Sequence, residues 1–409
     1  MLRRMLPVIA FLAVTFGVGF ALWFFFFRPP TAPPPAVVTN ANAPGAGGGL
    51  APAGAGGGFV PPTNAPAGGI APAERAAPIA NGGLTATPSL TPVSVSAASA
   101  SPEGDAVRYY DQDDGKFYRI DPETGEKIAL SDKRFANVDT VAWAPTEDKA
   151  VLEFPDGSNI LFDFGSQRQV TLPRHWEEFE FTSDSSQLVS KSLGIDPSNR
   201  WLVVSNADGS SARPVQELGN NESKVAVNVS PTGQVIALSR TGDAQGFGRQ
   251  EIIPIGQNKE NFKGLIVEGL NFTSKWTPDG KRLLYSAVSP NDDYRPMLWI
   301  VEGYGDSIGA GRRKLNLNTW ADKCAFGSGT TVYCAVPRTL ERGVGLERRL
   351  ADNVPDDLYS VDISTGARKL VARPDSNSTM KNLILSEDGR NLTFVESGSN
   401  LLRQIRLAP

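Results

Sequence analysis

The sequence predicts an all-β protein, a β-propeller of about seven four-stranded blades over residues 105–409, preceded by one transmembrane helix and a disordered linker. Two observations predict the propeller. A strand–turn–strand unit recurs after about residue 105 at a spacing of roughly 40 to 50 residues, which fits one blade per repeat. A second hairpin signature follows the unit in several repeats. Six or eight blades also fit this spacing.

The repeated unit places a tight turn between two apolar strands. Residues 276–286 read Trp-Thr-Pro-Asp-Gly-Lys-Arg-Leu-Leu-Tyr-Ser, in which proline presets φ and Asp-Gly supplies a residue able to take positive φ. Weaker copies begin at Val141, Phe181, Val229 and Leu385. The following apolar residues occupy equivalent places and are predicted to pack between neighbouring blades: Trp143, Phe181, Val229, Trp276, Phe326 and Leu385.

The second half of a blade is predicted from alternating strands joined by an Asp-x-x-Thr-Gly turn, as at 121–125 and 362–366. The predicted units span 106–131, 138–173, 178–217, 224–265, 270–317, 321–372 and 380–408. The first unit lacks an innermost strand and the last an outermost one. Residues 92–96 are therefore predicted to supply the missing edge and close the ring, which removes exposed strand edges.

These repeats resemble the WD40-like propeller repeats of the TolB type, whose core is a Ser-Pro-Asp-Gly turn followed by an apolar strand. The resemblance covers about residues 106–408 and is clearest at 276–286. It implies the propeller architecture and a periplasmic interaction protein, without supplying the partner. The chain lacks the Gly-His and Trp-Asp pairs of the eukaryotic WD40 pattern, and no separate α/β domain of the kind found in TolB itself precedes the repeats.

The N-terminal part predicts a membrane tether. Residues 7–27 carry no charge and are long enough for a helix that crosses roughly 30 Å of hydrocarbon. Arg3 and Arg4 precede this segment, so residues 1–6 are predicted to lie in the cytoplasm and the propeller outside, in a periplasmic or extracellular location. The alternative is a cleaved signal peptide, although the apolar run ends in four Phe and Arg28-Pro-Pro. Residues 28–104, rich in Pro, Ala and Gly, are predicted to be a disordered linker.

Two cysteines, Cys324 and Cys334, flank a Gly327-Ser-Gly329 turn and are predicted to form a cross-strand disulfide in an oxidising compartment. The alternative is a pair of buried free thiols. Two cysteines and one distant histidine do not make a closed zinc site, so neither a metal nor a cofactor is predicted. The net charge of −4 and the absence of a Gly-rich phosphate loop favour neither a nucleotide nor a nucleic acid.

Catalytic residues are not predicted. The only histidine, His175, lies between two blades, so a Ser-His-Asp arrangement would require every partner to converge on that loop. The enzyme alternative is a surface carbohydrate-active enzyme, a glycoside hydrolase or lyase that uses carboxylates. Such carboxylates leave no spacing to recognise in a sequence. A cluster of acidic residues around the mouth of the central channel would favour this alternative.

A binding face is predicted from three long insertions between the second and third strands of blades 4, 5 and 6. Loops at equivalent blade positions emerge on the same face, and loops on a rigid scaffold often carry binding sites. Aromatic residues and arginine are enriched at protein-binding hot spots. The candidates are Phe247, Arg249, Asp292, Asp293, Tyr294, Arg295, Arg338, Arg342, Leu346, Arg348 and Arg349.

The predicted function follows from these features taken together. We expect a monomeric, membrane-tethered extracytoplasmic propeller that acts as a non-enzymatic module binding a protein or an envelope polymer. The alternative interpretation of the insertions is tolerated variation in loop length with solvated charges.

Overall fold

The computed structural model describes residues 75–246 and 248–409, and seven β-sheets follow one another along this part of the chain. Successive strands within each blade pair antiparallel, so each repeat unit folds as one sheet. The prediction of about seven blades is confirmed, and the counts of six and eight are wrong.

The strands are as follows. Strand β1 (Leu84–Thr85) precedes the blades. Blade 1 contains β2 (Val95–Ala100), β3 (Val107–Asp111), β4 (Lys116–Ile120) and β5 (Lys127–Ala129). Blade 2 contains β6 (Thr140–Trp143), β7 (Lys149–Glu153), β8 (Asn159–Asp163) and β9 (Arg168–Leu172). Blade 3 contains β10 (Trp176–Phe181), β11 (Gln187–Leu193), β12 (Arg200–Asn206) and β13 (Arg213–Glu217).

Blade 4 contains β14 (Val225–Val227), β15 (Val235–Ser239), β16 (Arg249–Gly256) and β17 (Leu265–Glu268). Blade 5 contains β18 (Leu270–Trp276), β19 (Arg282–Val288), β20 (Pro296–Glu302) and β21 (Arg313–Lys314). Blade 6 contains β22 (Cys324–Phe326), β23 (Thr331–Pro337), β24 (Asp356–Asp362) and β25 (Arg368–Pro374). Blade 7 contains β26 (Met380–Leu385), β27 (Asn391–Glu396) and β28 (Leu402–Arg406).

Short 3-10 helices lie in the connections, at Pro197–Asn199, Gly219–Lys224, Pro290–Asp292, Gly305–Ser307, Ala321–Lys323 and Arg348–Ala351. None of the helices in the described part of the chain has the length and apolar character of a membrane span. The predicted anchor at 7–27 and the predicted linker as far as residue 74 lie outside the described residues.

The repeated turn has the geometry that its sequence predicts. In blade 5 the Oδ1 atom of Asp279 accepts hydrogen bonds from the Thr277 hydroxyl at 2.6 Å and from the Lys281 N–H at 3.1 Å. Gly280 takes a φ of +64°, in the region that favours glycine. The carboxylate therefore closes the turn between the first two strands, which is why Asp recurs at this place.

The hydrophobic core is divided among the junctions between blades. Trp276 packs with Val235 of blade 4 and Leu283 of its own blade, and Phe181 packs with Val151 of blade 2. Each sheet buries both faces only when a neighbouring blade lies on either side, so the ring is stable as a whole. The other predicted junction residues also lie within or against these clusters: Trp143, Val229, Phe326 and Leu385.

The N-terminal segment closes the ring across blades 6, 7 and 1. Strand β1 adds to β25 in parallel, on the outer edge of blade 6. The chain then runs beside β28, where Ser89 bridges Arg403 and the Leu90 N–H donates to the Leu402 carbonyl at 2.7 Å. Finally β2 becomes the innermost strand of blade 1.

Closure by a borrowed segment thus agrees with the prediction, but the residues differ. The outer edge of blade 7 comes from residues before 92, and the innermost strand of blade 1 extends to Ala100. The propeller therefore begins before residue 105, within the range predicted to be linker. Strand β2 reads Val-Ser-Ala-Ala-Ser-Ala, and only Val95 and Ala98 are buried, so its small residues give no alternating apolar signal.

Cys324 and Cys334 face each other in the register between β22 and β23, and a disulfide joins them in the structure. Both residues are fully buried in the cluster between blades 5 and 6. The bond links β22 to β23, and the long insertion of blade 6 begins directly after β23.

Glu180 on β10 lies at the junction of blades 3 and 4, where the Val229 N–H donates to its Oε2 atom at 3.1 Å. Burial raises the pKa of this carboxyl from an ordinary value of 4.5 to about 7, and the hydrogen bond opposes only part of the shift. The native state therefore holds this proton more tightly than the unfolded chain does. Its contribution to stability is complete below about pH 4.5 and is lost as the pH rises through about 7.

We expect Glu180→Gln to remove this part of the pH dependence and to raise the free energy of unfolding at about pH 8 by roughly 1–3 kcal/mol. Near pH 4 the change should be small, because the native glutamate is already protonated there. Urea unfolding at several pH values measures the difference, with Glu177→Gln on the same strand as the exposed control. A variant whose stability still falls with pH as steeply as that of the wild type would contradict this assignment.

Candidate functional site

The loops between the second and third strands of all blades emerge on one side of the ring, here called the loop face. The three insertions, predicted at 241–249, 289–296 and 338–357, occupy this position. The corresponding connections run from 240 to 248 between β15 and β16, from 289 to 295 between β19 and β20, and from 338 to 355 between β23 and β24. Their placement follows from the antiparallel order of strands in each blade.

The insertions of blades 5 and 6 bind each other directly. The backbone N–H groups of Gly343 and Gly345 donate to the carbonyls of Asp293 and Tyr294, each at 2.9 Å. The Nε atom of Arg295 donates to the Leu340 carbonyl at 2.8 Å. Asp293 and Tyr294 both take positive φ values, 55° and 54°. Two of the three predicted loops therefore converge into one surface.

The insertion of blade 4 is held by its own blade. Ala244 bridges Gln250, and the Gly269 N–H donates to the Gly248 carbonyl at 2.7 Å. Arg249, at the start of β16, forms an ion pair with Glu268 at 2.7 Å. Phe247 lies outside the described residues.

The long insertion of blade 6 is packed against the ring. Val344 and Ala351 are buried against Trp320, and Leu340 packs on the same cluster. The Arg348 guanidinium lies 4.9 Å from the centre of the Trp320 ring and binds both carboxylate oxygens of Asp322, at 3.0 and 2.6 Å. These contacts give the loop a fixed shape without regular strands.

Several predicted binding residues have structural partners. The Asp292 side chain is nearly buried and forms an ion pair with Lys314, which links the loop of blade 5 to β21. Arg338 forms an ion pair with Asp357 at 2.6 Å and also donates to the side chain of Asn377. Both residues connect a loop to the outer strands of a blade.

Other predicted residues remain on the surface. The Arg342 side chain is 76% exposed and has its Nε 4.0 Å from the carboxylate of Asp293. Leu346 is 49% exposed, and Arg349 is also exposed. This part of the insertion presents apolar and cationic side chains together.

Two exposed leucines were not predicted. Leu350 is 68% exposed and lies four residues after Leu346, while Leu270 is 48% exposed at the start of β18. The Asn271 side chain donates to the Gly345 carbonyl at 2.9 Å, which holds the start of β18 against the insertion. Leu270, Leu346 and Leu350 are called the leucine patch below. Leu350 lay inside a predicted loop, but nothing in the sequence distinguished it from a core leucine.

Carboxylates also gather on the loop-face side of blades 2 and 3. Burial raises the pKa of Glu153 to about 7, and the neighbouring charges of Glu177, Asp139 and Glu178 add to the shift. Glu178 forms an ion pair with Lys191 at 2.6 Å. An acidic group with a raised pKa is a feature that the carboxylate-enzyme alternative requires.

The chemistry of the remaining candidate groups is limited. The described residues contain no cluster of three or more His, Cys, Asp and Glu side chains placed to hold a metal ion. His175 is exposed, and its backbone carbonyl accepts a hydrogen bond from Leu193 at 2.6 Å. The structure thus gives this residue a backbone role at the start of blade 3.

Comparisons with known proteins give the architecture. No family model and no curated protein match the chain. An oligogalacturonate lyase solved with manganese is similar, with a TM-score of 0.54, 15% identity and coverage of 79% of this chain and 93% of that one. An oligogalacturonate lyase from Vibrio parahaemolyticus has a TM-score of 0.54 at 10% identity and covers 78% of this chain and 93% of that one.

The propeller domain of Cps50 (Swd1) from Myceliophteria thermophila is similar as well. Its TM-score is 0.53 at 14% identity, with coverage of 78% of this chain and 98% of that one. These likenesses establish the fold alone. Such low identities carry no information about activity, because one fold can host many unrelated functions.

Proposed function

We propose that this protein is a non-enzymatic binding module that holds a protein partner at the leucine patch, outside the membrane to which residues 7–27 tether it. The observation that carries the proposal is the exposure of Leu346 and Leu350 on an insertion that is itself packed and hydrogen-bonded. A partner that covers these leucines would bury apolar surface, which favours association.

The neighbouring charges support a partner with acidic groups. Arg342 and Arg349 lie on the same insertion as the two leucines and are both exposed. Apolar side chains beside arginine are typical of protein-binding hot spots. Because Trp320 and Arg348 already fix the insertion, little of its conformational entropy would be lost on binding.

The proposal is tested by affinity capture from solubilised envelope with the full-length chain as bait. We expect Leu346→Asp/Leu350→Asp to reduce the recovery of the main partner at least about 10-fold, because two buried leucines would each contribute on the order of 1.5–3 kcal/mol. Ile195→Asp is the matched control, since Ile195 is fully exposed on the same face in the loop of blade 3. Equal recovery with the double variant and the control would contradict the proposal.

Point substitutions are preferable to deletion of the insertion. Removing 338–355 would also remove the residues that cover Trp320 and the Leu340 carbonyl that receives Arg295. A lost partner could then reflect a damaged ring. A melting temperature of the double variant equal to that of the wild type would establish that the substitutions changed only the surface.

The second candidate function is that of a carboxylate-based glycoside hydrolase or lyase, which the raised pKa of Glu153 favours. A general acid needs a carboxyl that is still protonated near neutral pH. Release of short oligosaccharides from an envelope polysaccharide by the wild type, abolished in Glu153→Gln, would replace the binding proposal with this one.

A further inference from the structure

A second site lies in a gap between the outer halves of blades 5 and 6. Strand β21 of blade 5 has only two residues, whereas β25 of blade 6 has seven and is extended sideways by β1. The outer part of blade 6 therefore faces no strand of equal length on blade 5. The gap forms a cavity of about 940 Å³, with the connection at 316–318 along one wall.

The cavity is lined by an excess of positive charge. Two aspartates, Asp357 and Asp375, also reach it. Asp375 accepts hydrogen bonds from the N–H and hydroxyl of Thr87 at 2.9 and 2.6 Å, which occupy one of its oxygens. The lining arginines are Arg295, Arg338, Arg368 and Arg373. Asp293 also lies 3.5 Å from Arg295, so four guanidinium groups face three carboxylates and the cavity keeps a net positive charge.

Hydrogen bonds and ion pairs hold the arginine side chains in place, but the nearby carboxylates do not neutralise all of their charges. Arg368 donates to the Asn316 carbonyl, a contact that fixes the guanidinium, and it forms no ion pair with any carboxylate of residues 75–246 and 248–409. Asp357 lies 2.6 Å from Arg338 and 3.9 Å from Arg373, so one carboxylate serves two cations. Each guanidinium has five N–H donors, and the remaining ones are available to an anionic ligand.

The uncharged lining narrows the class of ligand. Asn316, Asn318 and Asn377 contribute amide groups, and Tyr359 contributes an amphipathic ring. Asn318 already donates to the Pro296 carbonyl at 3.2 Å. Asn377 already accepts a hydrogen bond from Arg338, so hydroxyls would use the remaining donors and acceptors of these amides. A volume of about 940 Å³ is near the upper end of ordinary ligand sites, which favours an oligomer over a single small anion. Hydroxyls, rings and carboxylates occur together in uronic-acid oligosaccharides.

An acidic peptide fits the cavity less well. Extended peptides are commonly bound by adding a strand to an exposed sheet edge. The outer edge of β25 beside the cavity is already paired with β1, through Leu84 and Thr85. Strand β1 covers Arg373 and Pro374, and the Gly82 N–H binds the Val371 carbonyl, so at most residues 368–370 of β25 would be open to pairing with a peptide.

We propose that this cavity binds an acidic oligosaccharide, with ligand carboxylates on Arg368 and Arg373 and ligand hydroxyls on the asparagine amides. The inference goes beyond the protein-binding function proposed above, because the cavity lining contains none of the leucine patch. The two sites would let one propeller bind a protein and an acidic polymer at once.

The test is isothermal titration of the full-length chain in detergent. The ligands are hexamers derived from polygalacturonate and alginate, the methyl ester of the first, a neutral hexasaccharide and hexaglutamate. We expect at least one hexuronate to bind, its binding to weaken with added salt, and the methyl ester and the neutral sugar to bind at least about 10-fold more weakly.

Substitutions then locate the site. Arg368→Gln and Arg373→Gln should each weaken hexuronate binding by roughly 10-fold, the effect of losing a charge-assisted hydrogen bond. Arg174→Gln, which removes an exposed arginine paired with Asp156 on blade 2, should leave it unchanged. Leu346→Asp/Leu350→Asp should also leave it unchanged, so the failure of this proposal is distinguishable from failure of the protein-binding proposal.

Four results would overturn the inference: no binding of any hexuronate, equal binding of acid and methyl ester, tighter binding of hexaglutamate, or binding insensitive to both arginine variants. The comparison of acid with methyl ester needs no variant. It therefore decides the charge requirement even where a substitution prevents folding.

Discussion

Replacement of Asp356 by alanine should destabilise the propeller by roughly 3–5 kcal/mol, because it leaves the ammonium of Lys323 buried without a counter-charge. Both side chains are almost completely buried, and the Lys323 Nζ lies 2.7 and 2.6 Å from the two carboxylate oxygens of Asp356. Oδ2 of Asp356 also accepts the Met380 N–H at 2.7 Å. The substitution therefore breaks contacts that join the connection before blade 6 to the start of blade 7.

The free energy of unfolding in urea measures this effect. Asp322→Ala is the matched control, because Asp322 forms an ion pair with Arg348 in the same region but at the surface. Surface pairs contribute about 0–1 kcal/mol, so the control should lose little stability. The double variant Lys323→Met/Asp356→Leu should recover much of the loss, since neither charge then remains buried. A single Asp356→Ala variant as stable as the control would disprove the account.

Replacement of Arg108 by methionine should also destabilise the ring severely, by roughly 3–5 kcal/mol. Arg108 on β3 is 1% exposed. Its guanidinium donates to the carbonyls of Ala100 and Glu147 at 2.9 Å and of Ala144 at 3.2 Å. It also lies 4.5 Å from the centre of the Trp143 ring. Methionine retains the apolar stem but removes the guanidinium donor from all three carbonyls, of which that of Glu147 keeps the Lys149 N–H, and removes the ion pair with Asp148 at 3.3 Å.

The neighbouring strand supplies the control. Arg119 on β4 is the direct cross-strand partner of Arg108, but it is partly exposed. Among the carboxylates of the described residues it contacts only Glu103, at 3.7 Å. Arg119→Met should change the free energy of unfolding by less than about 1 kcal/mol. Similar losses for the two substitutions would show that burial and the three carbonyl contacts do not set the contribution of Arg108.

The candidate site was only partly predictable. The sequence located the insertions of blades 5 and 6, since turn spacing fixes which strands they join. It could not identify partners: Arg295 contacts Leu340, which lies 45 residues later, and Asp292 is held by Lys314. The sequence analysis also missed Arg373 and Arg368. Whether a side chain on an outer strand is exposed depends on the neighbouring blade, which a single sequence does not reveal.

The sequence-based prediction of where the propeller begins was wrong for a related reason. Strand β2 consists mostly of small residues. It forms because its backbone pairs with the edge of β3, which would otherwise be unpaired in the ring. Only long-range pairing identifies such a strand. The local pattern of Ala, Ser and Pro continues across the boundary between the predicted linker and the ring.

The sequence by itself determined the propeller, its number of units to within about one, the turn chemistry and the side of the ring from which the insertions emerge. These properties depend on short segments that repeat, so each copy supports the same interpretation. Tertiary structure alone decided which charges are buried, which leucines remain exposed and where the cationic cavity opens. Those properties depend on contacts between blades, because residues that are distant in the chain come into contact only when the ring closes.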